Sequence, residues 1–265
     1  FARGYISDSY ASIDGRGTQS AVKKIQYWLK LAQKRPQKYY YLKMDVAKFF
    51  YRISHEVILK ILSRKIADPK VMWLFNTIIN SEDTAFGLPL GKIPVVESTR
   101  LYDVGMPIGN LTSQMMANIY MNEVDQYCKR KLRIRRYMRY MDDMLIVSDS
   151  KERLHEYKRL VEQFLNEKLK LELNNKTAIR PCSLGIEFCG YRVWPDHIKL
   201  RKSTALRMKR CLNRVREQYS HGKIPLEKAK EVLMSYLGIM KHCDSYRLKC
   251  KILKDFVLVR KDSPD

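Results

Sequence analysis

The feature that most constrains this chain is a pair of adjacent acids, Asp142 and Asp143, enclosed by two short apolar runs. The runs cover residues 134–140 and 144–147, and only Met141-Asp142-Asp143 separates them, which predicts a β-hairpin. Asp is a common turn residue, so a turn alone explains the pair in isolation. Inside a buried hairpin, however, two neighbouring carboxylates repel each other unless cations lie between them. We therefore expect a buried sheet with a cation site at the tip of this hairpin.

Another acid, Asp45, lies near the end of the aromatic and apolar run Tyr39–Val46, which predicts a buried strand. An isolated charge is costly in such a place. If this strand is a neighbour of the hairpin, Asp45 and Asp142 together offer the oxygen ligands that Mg²⁺ prefers. Two such ions clamp the attacking and leaving oxygens of a phosphoryl displacement. The acids thus indicate phosphoryl-transfer chemistry.

A third segment, Gly105–Gln114, combines two glycines with the start of a long helix predicted from about Asn110 to Lys131. Glycine lets the backbone approach a ligand closely, and the first turn of a helix offers free N–H groups. The segment is not a Walker loop, because the Gly-Lys-Ser/Thr ending is missing. An ordinary loop with a helix N-cap is the alternative interpretation.

The order of the predicted elements indicates an α+β fold rather than a doubly wound one, because an antiparallel hairpin lies at its centre. Short strands are predicted between Leu171 and Val193. From about Ser203 the pattern is all helical, with 15 basic and four acidic residues between Arg201 and Lys254, so a second module begins near residues 195–203. The remaining helices are predicted over Thr18–Ala32, after Ser54, over Pro69–Asn80 and over Lys151–Leu169.

The charge balance narrows the class of partner. The chain has 51 Lys and Arg against 28 Asp and Glu, a net charge of +23, which favours nucleic acid first and a membrane surface second. No apolar stretch approaches the roughly 18 residues that span a bilayer.

The six cysteines form no C-x-x-C pair, which is typical of free thiols in a reducing cytosol. A zinc site at His242, Cys243 and Cys250 is not expected, because a fourth ligand is missing. A start at Phe1 indicates a fragment of a longer protein.

Asp45 with Phe49-Phe50, then Gly105–Gln114, then Tyr140-Met141-Asp142-Asp143, taken together and in this order, resemble the palm of a reverse transcriptase. Residues 171–177 (LELNNKT) resemble the fourth motif of that family, and residues 188–191 (FCGY) its primer-gripping hairpin. The resemblance covers roughly residues 5 to 195. It implies a right-hand polymerase palm (α+β) with partial fingers, followed by an all-helical basic thumb. The implied domains are partial fingers 1–38, a palm 39–198 with a finger insertion at about 81–104 and the primer-grip hairpin at about 185–200, and a thumb 201–265.

The resemblance also implies catalytic roles. Asp45 and Asp142 bind two Mg²⁺ ions, with Mn²⁺ as an alternative, Val46 offers its backbone carbonyl, and Asp143 supports the site electrostatically. Lys176 protonates the departing pyrophosphate, the alternative being a solvated lysine near a turn.

The resemblance also implies which residues contact the incoming nucleotide. Phe50 is the aromatic gate under the incoming sugar, the alternative being a core residue beside Phe49. Ile108 stands where relatives usually have Gln and is expected to weaken discrimination between right and wrong base pairs, the alternative being a packing residue. Gly109, Gln114 and Arg16 complete the nucleotide-binding set. Seven of the eleven residues from Lys129 to Arg139 are basic, which favours a phosphate-tracking groove shared with the basic thumb, the alternative being a solvated charged surface. The residues expected to bind nucleic acid are Arg133, Arg135, Arg136, Arg139, Tyr140, Gly190, Tyr191, Arg201, Lys202, Arg207, Arg210 and Arg214.

Within the family, residues 108–114 (IGNLTSQ) are most similar to enzymes of diversity-generating retroelements. Such an enzyme copies a template RNA into error-rich cDNA from deoxynucleoside triphosphates, extends a primer, and works with a small basic accessory protein in a bacterial or phage-infected cytoplasm, without a membrane. The alternatives are a group II intron, retron or defence-type reverse transcriptase, and a catalytically silent RNA-binding scaffold.

Overall fold

The computed structural model describes residues 1–80, 86–91, 100–107 and 109–260. These form two compact units, one of residues 1–21 and 37–181 and the other of residues 22–36 and 182–265. The second unit therefore begins at Cys182, earlier than the predicted change near residues 195–203. The reason is that the short strands after Cys182 group with the basic helices.

The first unit is built on a four-stranded antiparallel sheet in the order β2-β3-β1-β4. The strands are β1 (Tyr40–Met44), β2 (Tyr137–Tyr140), β3 (Asp143–Ser148) and β4 (Ala178–Pro181). Strands β1 and β3 are central, and Leu42, Met44 and Ile146 are fully buried in the core that faces the helices. An antiparallel sheet covered by helices is the predicted α+β class, and that prediction is confirmed.

The helices of the chain lie close to their predicted positions. Pro69 opens a helix behind the N-cap Asp68, and Ser54 caps another by accepting a hydrogen bond from the Val57 amide. None of the described helices is long and apolar enough to cross a lipid bilayer. The helices are α1 (Thr18–Gln33), α2 (Phe49–Arg52), α3 (His55–Ser63), α4 (Pro69–Ile79), α5 (Leu111–Gln126), α6 (Lys151–Leu169), α7 (Lys202–Ser220), α8 (Leu226–Met240) and α9 (Tyr246–Asp255).

The central hairpin differs from its prediction at both ends of β2. The strand begins at Tyr137 rather than Ile134, because a π-helical segment (Tyr127–Lys131) follows α5 and Arg133 adopts a left-handed conformation with φ of 51°. Face alternation therefore does not extend back through residues 133–136. At the other end the turn has two residues, Met141 and Asp142, because Asp143 already pairs with Tyr140.

The second unit joins a small sheet to helices. Strands β5 (Ile186–Phe188), β6 (Tyr191–Val193) and β7 (Ile198–Leu200) pair antiparallel in sequence order. The Ile198 amide donates to Asp244 Oδ2 at 2.8 Å, and the Asp244 amide donates to the Ile198 carbonyl at 2.7 Å, which ties β7 to the loop before α9. The core of the helices contains Met208, Leu212, Met240 and Ile252.

Candidate active site

The pairing of β1 with β3 brings the three predicted acids to one end of the sheet. Met44 lies opposite Met144, and the same register carried one residue further sets Asp45 opposite Asp143. Asp142 is the second residue of the turn that enters β3. The three acids are half-buried. The strands that carry Asp45 and Asp142 are therefore neighbours, which is the condition on which the expected cation site depends.

Burial and the repulsion between the acids raise the pKa values of Asp142 and Asp45. Burial, with the charges of Asp45 and Asp143 adding to it, raises the pKa of Asp142 from 3.8 to about 6. Burial and the charge of Asp143 also raise the pKa of Asp45. The protein alone thus does not fully compensate the negative charge at this end of the sheet.

Lys43 supplies part of the compensation, and sequence reasoning missed it. Its Nζ lies 3.1 Å from Asp143 Oδ1 and 3.2 Å from Oδ2, and its charge lowers the pKa of both Asp45 and Asp142. The signal was available, because residues two apart on a strand share a face and Lys43 precedes Asp45 by two. Asp143 is therefore held by a lysine, in keeping with a supporting role.

The segment after α6 holds Asp45 from the other side. The Asn174 amide donates to the Asp45 carbonyl at 2.6 Å, and Asn174 Nδ2 donates to Asp45 Oδ2 at 2.9 Å. The Ala47 amide donates to the Glu172 carbonyl at 2.8 Å, so the bonds flank an antiparallel bridge between Val46 and Leu173. In such a pair the bonds belong to the flanking residues, and the Val46 carbonyl is directed away from Leu173. Asn174 was not among the predicted site residues.

Lys176 belongs to the same turn. Its amide donates to Asn174 Oδ1 at 3.2 Å, its side chain is exposed, and its charge lowers the pKa of Asp45. The lysine is thus near enough to Asp45 to act on it electrostatically while its side chain reaches solvent.

The donor set fits a hard divalent cation that retains other ligands. Among the residues that the structure describes, no three His, Cys, Asp or Glu side chains are arranged to hold a metal ion together. The two carboxylates of Asp45 and Asp142, with the Val46 carbonyl, would offer three donor groups, and Mg²⁺ commonly takes one or two carboxylates and completes its shell with water and phosphate. A cation here also relieves the repulsion that raises the pKa of Asp142.

Phe50 and Gly105 lie on segments joined by backbone hydrogen bonds. The Met106 amide donates to the Phe50 carbonyl at 2.7 Å, and the Gly105 amide donates to the Ile53 carbonyl at 2.8 Å. Phe49 is buried, whereas Phe50 is half-buried and packs edge-on against it with ring centroids 5.3 Å apart. Of the two rings, Phe50 is thus the one that can meet a ligand.

The other predicted nucleotide contacts differ in what they do. Gly109 is exposed with φ of 109°, a conformation that favours glycine. Gln114 Oε1 accepts a hydrogen bond from Ser12 Oγ at 3.2 Å. Arg16 Nη1 donates to the carbonyls of Ile6 and Ser9 at 2.7 and 2.9 Å, so this part of its guanidinium is committed to the local backbone. Ile108 lies outside the described residues.

Two predicted nucleic-acid contacts are wrong. Arg139 has no exposed surface and forms an ion pair with the equally buried Asp125 at 2.8 Å, because it shares a strand face with Tyr137 and points into the core. Tyr191 is 4% exposed and donates its hydroxyl to the Ile239 carbonyl at 3.2 Å, so its side chain packs inside the second unit. Alternation along β2 could not have identified Arg139 as internal, because Tyr137, Met138 and Arg139 are all buried and the strand is covered on both faces.

The remaining predicted contacts are accessible to different degrees. Tyr140 is half-buried beside the acids, Arg136 lies 5.0 Å from the ring centre of Tyr39, and Gly190 forms the β5–β6 turn with φ of 82°. The other seven predicted basic residues are exposed: Arg133, Arg135, Arg201, Lys202, Arg207, Arg210 and Arg214.

The acidity of Asp142 predicts a pH-dependent stability difference. Because its pKa is raised to about 6 in the folded state, the folded protein holds this proton more tightly than the unfolded chain, and stability is lost as the pH rises from about 4 to above 6. Asp142→Asn removes that loss. We expect the variant to gain about 1–2 kcal/mol over the unsubstituted protein at pH 7.5 without divalent ions, after allowance for solvent screening. At pH 4 we expect the difference to vanish.

Chemical denaturation at both pH values measures the gain. Mg²⁺ should stabilise the unsubstituted protein more than Asp142→Asn, which reverses part of the difference at pH 7.5. Equal stability of the two proteins at pH 7.5 would show that the carboxylate is not under electrostatic strain.

This chain is similar to a bacterial protein and to solved structures of telomerase. Protein YkfC of Escherichia coli (strain K12) is 26% identical over 182 residues, which cover 56% of this chain and 45% of YkfC. The structure of telomerase from Candida tropicalis with a TWJ fragment of telomeric RNA matches 87% of this chain and 42% of that one, with a TM-score of 0.55 at 14% identity. Apo telomerase from Candida tropicalis matches 93% and 50%, with a TM-score of 0.54 at 13% identity.

These telomerase structures show a shared fold, and this chain spans half or less of the length of each of these relatives. The model of the family described as reverse transcriptase (RNA-dependent DNA polymerase), whose members generally use divalent metals, matches residues 5–193. Since that match includes the sheet, the three acids and most of the chain, the protein belongs to the reverse transcriptase family.

Proposed function

We propose that this chain carries the polymerising site of an RNA-directed DNA polymerase, which extends a primer into cDNA along a template RNA and uses deoxynucleoside triphosphates. The observation that carries the proposal is the meeting of Asp45, Asp142 and Asp143 at one end of the sheet, within the stretch that matches the reverse transcriptase model. The same stretch contains the turn that holds Lys176 beside Asp45.

Asp45 and Asp142, with the Val46 carbonyl, would hold two Mg²⁺ ions, or Mn²⁺ in their place. When bound, the ions neutralise charge on the triphosphate and favour attack by the primer hydroxyl. Lys43 keeps Asp143 in place, and Asn174 fixes the orientation of the Asp45 carboxylate. Lys176, exposed beside Asp45, is the proposed proton donor to the departing pyrophosphate.

The nucleotide and the nucleic acid are assigned to surfaces that the fold leaves accessible. Phe50 lies under the incoming sugar, and Gly109 and Gln114 lie at the start of α5 near the base pair. Backbone contacts to template and primer come from the exposed arginines and lysines, whose affinity should fall steeply with salt because phosphate binding releases counterions. The set is Arg133, Arg135, Arg201, Lys202, Arg207, Arg210 and Arg214.

We further propose that the enzyme serves a diversity-generating retroelement. The support is the tract IGNLTSQ at residues 108–114, in which Ile108 replaces a hydrogen-bonding Gln common elsewhere in the family. Error-prone copying then follows from the loss of a polar contact that helps discriminate base pairs. The expected partner is a small basic accessory protein, and the expected setting is the cytoplasm of a bacterium or of a phage-infected cell.

The alternative with the same chemistry is another reverse transcriptase class, from a group II intron, retron or defence system, and the tract at residues 108–114 is what favours the retroelement enzyme over it. A silent RNA-binding scaffold is disfavoured by the raised pKa of Asp142, because unused acids at this position cost stability.

Replacement of a proposed metal ligand separates an enzyme from a scaffold. We expect Asp142→Asn to lower Mg²⁺-dependent primer extension on an RNA template by about 10³-fold or more, because a direct metal ligand is lost. RNA retention on filters at rising salt should stay unchanged. Asp149→Asn, an exposed acid just beyond β3, is the matched control and should extend primers normally. If Asp142→Asn extends primers at the same rate as Asp149→Asn, the two-metal assignment is wrong.

Sugar selectivity tests the role of Phe50. We expect Phe50→Ala to raise ribonucleotide incorporation relative to deoxynucleotide incorporation by about 100-fold, since the ring no longer excludes the 2′-hydroxyl. The conservative change Phe49→Leu alters the buried neighbour and should leave selectivity unchanged. If selectivity follows Phe49 or neither residue, Phe50 is not the gate.

Fidelity tests the retroelement proposal. Ile108→Gln restores a hydrogen-bonding side chain and should lower the misincorporation rate by about tenfold, which sequencing of the cDNA products measures. Ile108→Leu keeps the apolar character and should leave the error spectrum as it is. An unchanged spectrum in both variants would remove Ile108 from the account of fidelity.

A further inference from the structure

Arg139 contacts the turn that carries Asp142, and its guanidinium is fully hydrogen-bonded. An arginine has five N–H donors, and in this protein five acceptors lie within hydrogen-bonding distance. Nε and Nη2 form a two-point contact with Asp125 at 2.9 and 2.8 Å, and Nη2 also donates to Ser9 Oγ at 3.1 Å. Nη1 donates to Asn118 Oδ1 at 3.2 Å and to the Met141 carbonyl at 2.8 Å. Arg139 and Asp125 are both fully buried.

This buried cluster joins separate elements of the first unit. Asp125 and Asn118 belong to α5, and Ser9 belongs to an N-terminal segment that forms a parallel bridge with β2 at Arg139. The Tyr10 amide donates to the Arg139 carbonyl, and the Arg139 amide donates to the Asp8 carbonyl, each at 3.0 Å. The arginine is thus fixed through its backbone as well as its side chain.

Stability alone is a weak explanation for such a pair. Removing two charges from water is costly, and apolar residues of similar volume are often at least as stable in place of a buried ion pair. What apolar residues cannot reproduce is a donor directed at a chosen backbone carbonyl. The only member of this set of acceptors that belongs to the acidic turn is Met141.

Met141 is a position where the backbone needs holding. Its φ of 53° is left-handed, which is uncommon for a residue with a side chain and costs energy. The next residue is Asp142, so the orientation of the Met141 peptide sets the direction from which the Asp142 carboxylate starts. We propose that Arg139 is a positioning residue, which holds the Met141 carbonyl and thereby aims the Asp142 carboxylate at the metal site. This inference rests on the proposed function of that site.

Arg139→Lys tests the proposal, because lysine keeps the charge opposite Asp125 but cannot span both Asp125 and the Met141 carbonyl. We expect its kcat for primer extension to fall by about 10- to 100-fold with a smaller change in the KM for nucleotide, as misplacement of a reacting group does. The Mn²⁺ concentration for half-saturation, followed by electron paramagnetic resonance without any nucleic acid, should rise by about tenfold.

Ser9→Ala is the matched control. It removes another hydrogen bond of the same guanidinium and leaves the bond to Met141 in place. We expect its kcat and Mn²⁺ affinity to equal those of the unsubstituted protein. A variant that lacks the charged pair altogether, Arg139→Met with Asp125→Leu and Tyr137→Phe, covers the case in which Arg139→Lys does not fold. The third change is needed because the Tyr137 hydroxyl donates to Asp125 at 2.7 Å.

The possible outcomes distinguish a positioning role of Arg139 from a structural one. Loss of Mn²⁺ affinity and kcat in a folded Arg139 variant, with a normal Ser9→Ala control, supports positioning. A variant with fewer active molecules but unchanged kcat per active molecule and unchanged Mn²⁺ affinity shows a structural role and overturns it. If the unsubstituted protein binds Mn²⁺ through Asp142 but makes no DNA, the proposed function fails, whereas the Mn²⁺ titrations still decide the role of Arg139.

Discussion

The repulsion between carboxylates at one end of the central sheet is the constraint on which the rest of the first unit depends. Three acids from two chain-distant segments meet where burial already disfavours their charged forms, and the pKa of Asp142 rises to about 6 as a result. Lys43 and Asn174 reduce the repulsion without removing it. A site that is electrostatically incomplete by itself is suited to bind divalent cations, because binding them relieves a cost that folding has already incurred.

The surrounding structure keeps these acids in place against that repulsion. Asn174 holds Asp45 through one backbone and one side-chain hydrogen bond. Arg139 holds the turn that contains Asp142 by donating a hydrogen bond to the Met141 carbonyl. The turn itself contains a left-handed Met141. Strain of this kind persists only where neighbours over-determine the conformation, and it concentrates at functional sites. A buried arginine with five acceptors is such a neighbour.

Periodicity and capping residues were enough to predict most helices and the central strands. The buried context of the acids predicted a shared cation site only on the condition that the two strands were neighbours, and the resemblance to the reverse transcriptase palm implied that condition. The beginning of β2 was not predictable, because the left-handed Arg133 and the π-helical segment before it have no local sequence signal. Arg139 was assigned to a nucleic-acid surface because it ends a run of basic residues suited to contact phosphates, and nothing nearby in the sequence indicates its partner Asp125, which is 14 residues away. The change of unit at Cys182 depends on contacts between short strands and helices, which composition does not record. The catalytic, nucleotide and primer roles remain predictions.

The most direct test of the central claim is to locate the metal. A crystal structure of the protein grown with Mn²⁺, a template–primer and a non-hydrolysable nucleotide would show the ions by their anomalous scattering. The account predicts two peaks about 3.5–4 Å apart, both within coordination distance of the carboxylates of Asp45 and Asp142. One of them should also contact the Val46 carbonyl. Mn²⁺ bound elsewhere, with the carboxylates of Asp45 and Asp142 left without an ion, would contradict it.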